Sequence, residues 1–181
     1  MGILNSNNCI MLIIDVQEKL LNAVFNRDLV AQRAEVMAKA ANILNVPIII
    51  TEQYPQGLGK TIESIKSSID NNKVFEKTSF SALDNEDVFD AIKSQDKTDV
   101  ILFGIETHIC VSQTANALIE LGYEVSVISD ACGSRDEAEY LAGLSRMKEN
   151  GAHIITAEIA LFEWLRSSKH PNFKEIQRLI K

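Results

Sequence analysis

VILFGIETHICVSQTANALIELG, residues 100–122, decides how this chain is read. Val100–Phe103 is too short for a buried helix and suits a strand covered on both faces. Gly104 permits a tight turn after it. Ile109–Leu121 reads as a helix, with Gly122 placed to end it. Glu124–Ser129 (EVSVIS) reads as the next strand. A strand, a helix and a second strand in this order point to a parallel sheet with helices on its faces.

The same alternation extends to both ends. Cys9–Ile14 (CIMLII) reads as a strand ending at Asp15, Val46–Ile50 (VPIII) as another, and Lys73–Glu76 as a short one. Helices are predicted over Leu29–Leu44, with Val30, Ala34, Met37, Ala38, Ala41 and Leu44 near one face, and over Asp84–Ser94 and Arg135–Glu149. Thr51–Lys60 reads as a polar, glycine-containing loop. His153–Ile155 reads as a last strand with His153 in the core. Ala157–Arg166 and Phe173–Ile180 read as terminal helices, whose Phe162, Trp164 and Leu165 join either the core or an interface. The expected fold is an α/β protein with a mostly parallel sheet covered on both faces.

The 181 residues show no repeat, low-complexity segment or linker, so one domain over residues 1–181 is expected. The composition is 46% hydrophobic and 24% charged, as in ordered globular proteins. A net charge of −7 and the lack of a long basic run argue against nucleic acid as partner. No apolar stretch approaches the roughly 20 residues that span a bilayer, and no basic-then-apolar leader opens the chain. A membrane partner is therefore not expected, although Met1–Ser6 fits the loose N-myristoylation pattern. Cys9, Cys110 and Cys132 include no CxxC pair, which argues for reduced thiols in a cytoplasmic setting. His108, His153 and His170 lack metal-ligand spacing, so neither metal nor cofactor is expected.

Ligands of such sheets bind beyond the carboxyl ends of the strands. The residues placed there are Asp15 and Gln17, Thr51–Tyr54, Glu76 and Lys77, Gly104–Cys110, and Asp130–Arg135. Cys110 near a helix start is either a thiol whose pKa the helix lowers or a buried packing residue. Thr107 is the candidate N-cap of that helix. Asp15 is a general base for the thiol or a cap of the following helix. Lys77 is a cation that holds thiolate and carboxylate together, or a solvated surface lysine. Their joint placement at three strand ends favours a site. Asp130, Ser134 and Arg135 in SDACGSR read as a structural polar cluster against the neighbouring turn. The GLGKT stretch, residues 57–61, lacks the first glycine of a phosphate-binding loop, since Tyr54 stands there, and Pro55 removes an N–H.

MLIIDVQEKL, TEQYPQGLG, EKTSFSAL, GIETHICV and VISDACGSRDEAE together resemble the isochorismatase-like cysteine hydrolase family, over nearly the whole chain. The order Asp, Lys, then Cys at a helix start is the specific part. The resemblance implies a three-layer α/β/α fold around a six-stranded, mostly parallel, Rossmann-like sheet. It implies a catalytic triad of Asp15, Lys77 and Cys110. It implies a cis Ile105–Glu106 peptide and an oxyanion hole of the Glu106 and Cys110 N–H groups. Leu20, Gln53, Tyr54, Phe80 and His108 are the positional candidates for lining a pocket for a small-molecule substrate. Metal-dependent nicotinamidases of the family often carry Asp and His ligands after the second strand. Here Thr51–Tyr54 contains no histidine, so no metal is implied. A cysteine nucleophile favours cleavage of an amide C–N bond through a thioester, with an ester or ether hydrolase, or a binding protein, as alternatives. Family grounds also imply a homo-oligomer.

Overall fold

Among the described residues, six parallel strands form the centre of the protein in the order β3-β2-β1-β4-β5-β6. The computed structural model describes residues 2–70 and 73–181, so Met1 of the N-myristoylation pattern lies outside the described residues. The strands are β1 Cys9–Ile14, β2 Ile48–Gln53, β3 Lys73–Lys77, β4 Asp99–Gly104, β5 Glu124–Ile128 and β6 His153–Ile155. The helices are α1 Glu18–Leu21, α2 Arg27–Ile43, α3 Pro55–Leu58, α4 Glu63–Lys66, α5 Glu86–Lys93, α6 Ser112–Glu120, α7 Glu137–Glu149, α8 Ala157–Leu165 and α9 Phe173–Leu179. The result is a three-layer α/β/α fold, and the sheet is all-parallel rather than mostly so.

β1 is buried at every position and β4 at all but its first. Both are central strands covered on two faces, which is why they read as continuous apolar runs. Side chains of α2 (Val30, Ala34, Met37, Ala38, Ala41) join this core. Trp164 and Leu165 are buried too, while Phe162 stays half exposed with its ring against Phe173. His153 departs from the core reading. It sits on edge strand β6, partly exposed, with Nε2 3.5 Å from Glu124.

Strand order reverses direction between β1 and β4, and such a switch point opens a crevice at the strands' carboxyl ends. The two strands meet there without a gap. Gly104, at φ +146°, lies opposite Ile14, and a Cβ on it would run into the Ile14 carbonyl, whose carbon is only 2.7 Å away. Glycine is therefore required for β1 and β4 to close at the point where the site begins.

The expected loop over Thr51–Lys60 needs correction. β2 starts at Ile48 and continues through Thr51, Glu52 and Gln53, which pair with Phe75, Glu76 and Lys77 of β3. α3 follows directly. The polar side chains that made this segment look like a loop are satisfied inside the fold. Thr51 bonds Asp15, and Glu52 Oε1 accepts from the N–H and hydroxyl of Thr61 at 2.8 and 2.9 Å.

Candidate active site

The carboxyl ends of β1, β3 and β4 bring Asp15, Lys77 and Cys110 together. Asp15 follows β1 in a left-handed backbone conformation (φ 53°), and its side chain is fully buried. Lys77 Nζ donates to Asp15 Oδ2 at 2.7 Å, with both side chains inaccessible to solvent. Thr51 Oγ1 donates to the other oxygen, Oδ1, at 2.7 Å. Lys77 also donates to Gln53 Oε1 at 2.7 Å and to the carbonyls of Ser79 and Phe80 at 3.1 and 3.3 Å. An ion pair taken out of water needs such extra partners to offset its desolvation. Asp15 is thus no helix cap, and Lys77 is no solvated lysine.

Cys110 is buried, with 6% of its surface exposed, and its thiol is within hydrogen-bonding reach of Asp15. The Glu106 N–H points at the sulfur. The Ile105–Glu106 peptide is cis. Residues Thr107–Val111 form a wide turn, closed by the Val111 N–H on the Glu106 carbonyl at 3.2 Å, and α6 begins only at Ser112. Two expectations change here. Thr107 does not cap the helix: its hydroxyl is buried and has no hydrogen-bond partner among the described residues. The thiol pKa is not lowered either. Burial, and then the Asp15 charge, push it up to about 12, against the opposing pull of Lys77 and the Glu106 N–H. Cys110 lies ahead of α6, and the helix dipole does not outweigh removal from water. The resting group is a thiol poised against a carboxylate, so ionisation requires a base.

The pocket candidates divide. Gln53 faces the site but is committed: its Oε1 accepts from Lys77, and its Nε2 donates to the Thr78 carbonyl at 2.8 Å. Gln17, fully buried, clamps Gln53 through its backbone N–H and carbonyl and reaches the Gly59 carbonyl. Tyr54 and Phe80 expose their rings, at 54% and 55%. Tyr54 borders a cavity of about 200 Å³ with Pro55, Gln56, Glu76, Lys77, Thr78 and Asn85. Leu20 is half buried against the core. His108 is half buried, with Nδ1 3.0 Å from Ser134 Oγ.

GLGKT is occupied by the protein itself. Lys60 Nζ lies 3.2 Å from Glu52 and 3.1 Å from Glu76, so a phosphate there would meet two carboxylates. Burial raises the Glu52 carboxyl, yet the Thr61 N–H, the Thr61 hydroxyl and Lys60 hold it below its ordinary value. The SDACGSR cluster splits as well. Ser134 and Arg135 bond the Cys110 turn, whereas Asp130 accepts from the Ala157 N–H at the start of α8 and pairs with Arg33. Sequence reasoning missed Thr51 as the second support of Asp15. A threonine at the polar end of an apolar strand was the available signal.

Fold and site define a Rossmann-like α/β protein with an acid, a lysine and a thiol at the switch point of its sheet. The chain belongs to the isochorismatase family, whose domain model matches residues 9–159. Isochorismatase family protein 1A of Dictyostelium discoideum is 41% identical, covering 97% of this chain and 87% of that protein. Isochorismatase domain-containing protein 2 of Danio rerio is 40% identical, covering 99% and 90%. Among solved structures, the MAR1 ribonuclease of Caenorhabditis elegans aligns with a TM-score of 0.94 at 36% identity, over 99% of this chain and 92% of that one. YcaC of Pseudomonas aeruginosa, solved with hexane-2,5-diol and covalent acrylamide, gives 0.92 at 26%, over 97% and 90%. The YcaC gene product of Escherichia coli, described as an octameric hydrolase of unknown specificity, gives 0.89 at 25%, over 98% and 94%. A hydrolase role follows from family membership.

Proposed function

We propose that the protein is a small-molecule cysteine hydrolase that cleaves an amide C–N bond through a Cys110 thioester. One observation carries the reading: the buried carboxylate of Asp15 is shared between Lys77 Nζ at 2.7 Å and the Cys110 thiol. Asp15 takes the thiol proton while Lys77 balances the charge. The sulfur attacks the carbonyl carbon, and the N–H groups of Glu106 and Cys110 receive the oxyanion. The C–N bond breaks, and the amine leaves with the proton from Asp15. Water then gives a proton to Asp15 and attacks the thioester, releasing the acid and a sulfur that recovers its proton. The covalent acrylamide on the Pseudomonas YcaC is in keeping with a nucleophile on this fold. Tyr54, Phe80, Leu20 and His108 are assigned to the pocket walls.

A screen of small amides and esters, with Cys110→Ala as control, tests this. Turnover of an amide that Cys110→Ala abolishes supports it; full activity in the variant overturns it. The ribonuclease relative raises phosphodiester cleavage as a second reading. A net charge of −7 and a Lys77 already held by four oxygens weigh against it. Degradation of single-stranded RNA by the wild-type chain would favour that reading instead. A homo-oligomer, a single domain and a cytoplasmic setting complete the proposal. They rest on the octameric relative, the continuous sheet and the three unpaired cysteines. Among the described residues no helix is long and apolar enough to cross a membrane.

A further inference from the structure

The turn that carries Cys110 is fastened from outside the site. Thr107 N–H donates to the Gly133 carbonyl at 2.9 Å, Gly133 N–H donates to the Gly104 carbonyl at 3.1 Å, and Ile105 bridges Gly133 in parallel. Residues 133–135 therefore run beside the turn as a strut. Helix α7 continues from that strut and presses on the same turn: a Cβ on Gly143 would come within 2.8 Å of His108 Cα.

At the end of the strut, Arg135 closes a two-point latch on Glu106. Its backbone N–H donates to Oε2 at 3.2 Å and its Nε donates to Oε1 at 2.9 Å. The carboxylate is nearly buried, with 11% of the Glu106 side chain exposed, whereas Arg135 lies outside it at 62%. The other titratable groups near the latch are His108, 3.7 Å from Glu106 Oε2, and Glu139 of α7, 3.7 Å from His108 Nε2. Glu106 thus has both carboxylate oxygens fixed on one side and its N–H aimed at the Cys110 sulfur on the other. Fixing both oxygens restricts the residue's own backbone, and with it the direction of that N–H.

We propose that Arg135 is a positioning residue, whose latch on Glu106 holds the Glu106 N–H against the charge that develops at Cys110. This rests on the reading of Cys110 as nucleophile and deepens it. The side chain of Arg135 bonds the Glu106 carboxylate rather than the sulfur, and acts through Glu106. An exposed ion pair by itself contributes little, so the proposal lies in geometry rather than charge: planar, directional donors on a carboxylate that packing has nearly closed.

The test uses iodoacetamide as probe. The Cys110 sulfur displaces iodide, the S–C bond forming as the C–I bond breaks, and the thiol proton passes through Asp15 to solvent. The rate is read at Cys110 by peptide mass spectrometry across a pH series, which separates it from the fully buried Cys9 and Cys132. Arg135→Gln removes the guanidinium and keeps the backbone N–H. The expected result is a fall of about tenfold in the rate at neutral pH, as for a slight misplacement of a catalytic donor. The pH profile should also move to the alkaline side, with the urea midpoint unchanged. Arg135→Lys keeps the charge without the planar donor and should resemble Arg135→Gln. A wild-type rate and profile in Arg135→Gln, or full rescue by Arg135→Lys, would overturn the latch alone. Absence of Cys110 labelling in the wild type would overturn the nucleophile reading and the latch with it.

Discussion

Replacing Lys77 with Met removes one charge and four hydrogen bonds at a place that water does not reach. Methionine fills a similar volume, so packing changes little. Asp15 keeps the Thr51 hydroxyl and the neighbouring Cys110 thiol but loses its cation, and Gln53 Oε1 loses the ammonium. Breaking a buried pair by removing one partner typically costs about 3–5 kcal/mol. The Ser79 and Phe80 carbonyls also lose their shared donor. An expected loss of about 4 kcal/mol is a large share of the stability of an ordinary domain. Asp15→Asn should recover part of it, because a neutral amide in place of the carboxylate leaves no unpaired charge. The double variant Asp15→Asn, Lys77→Met is therefore expected to be more stable than Lys77→Met by about 1–3 kcal/mol. Urea unfolding of the single and double variants at one protein concentration measures this, since assembly makes stability depend on concentration. A cost below about 1 kcal/mol for Lys77→Met, or a fully additive double variant, would refute the reasoning.

Three other outcomes are expected. Gly104→Ala drives a methyl group into the Ile14 carbonyl at φ +146° and should cost about 3 kcal/mol or more in urea unfolding, with loss of Cys110 labelling. Alkali should unfold the protein early. Burial raises Cys9 from 9.0 to about 11, and Cys110 and Cys132 to about 12. The unfolded chain therefore releases these protons first, and stability present below pH 9 falls between pH 9 and 12. Over those 3 units Cys132 alone contributes about 4 kcal/mol, so Cys132→Ala should flatten the alkaline limb of a melting-temperature series. Thr107→Val removes a buried hydroxyl with no partner among the described residues and should leave stability unchanged or raised by about 1 kcal/mol. A clear loss of stability in Thr107→Val would mean that the hydroxyl is bonded after all.

The strands that build the switch point were legible because β1 and β4 are buried on both faces and cannot hide their apolar runs. The clustering of Asp15, Lys77 and Cys110 was legible because each follows or ends a parallel strand. Less was legible around them. α1, α3 and α4 have four residues each, too few for a helical period to show. The end of β2 reads as loop because Thr51 and Glu52 are polar, and their partners, Asp15 and Thr61, lie elsewhere in the chain. The direction of the thiol pKa is hidden from the sequence for a related reason. Position before a helix is a local property, whereas burial depends on everything packed around the turn. The Arg135 latch likewise joins residues 29 positions apart and leaves no pattern in the local sequence.

The central claim is that the Cys110 sulfur becomes an acyl carrier, activated by Asp15 and Lys77. Intact-protein and peptide mass spectrometry on acid-quenched reactions with an amide substrate from the screen tests it directly. Quenching the wild type during steady turnover, when Asp15 is still present to drive acyl transfer, captures the intermediate. The account predicts a mass increase equal to the acyl group, confined to the Cys110 peptide and removed by hydroxylamine. Turnover of that amide by the wild type, with no adduct on Cys110 and undiminished activity in Cys110→Ala, would contradict it.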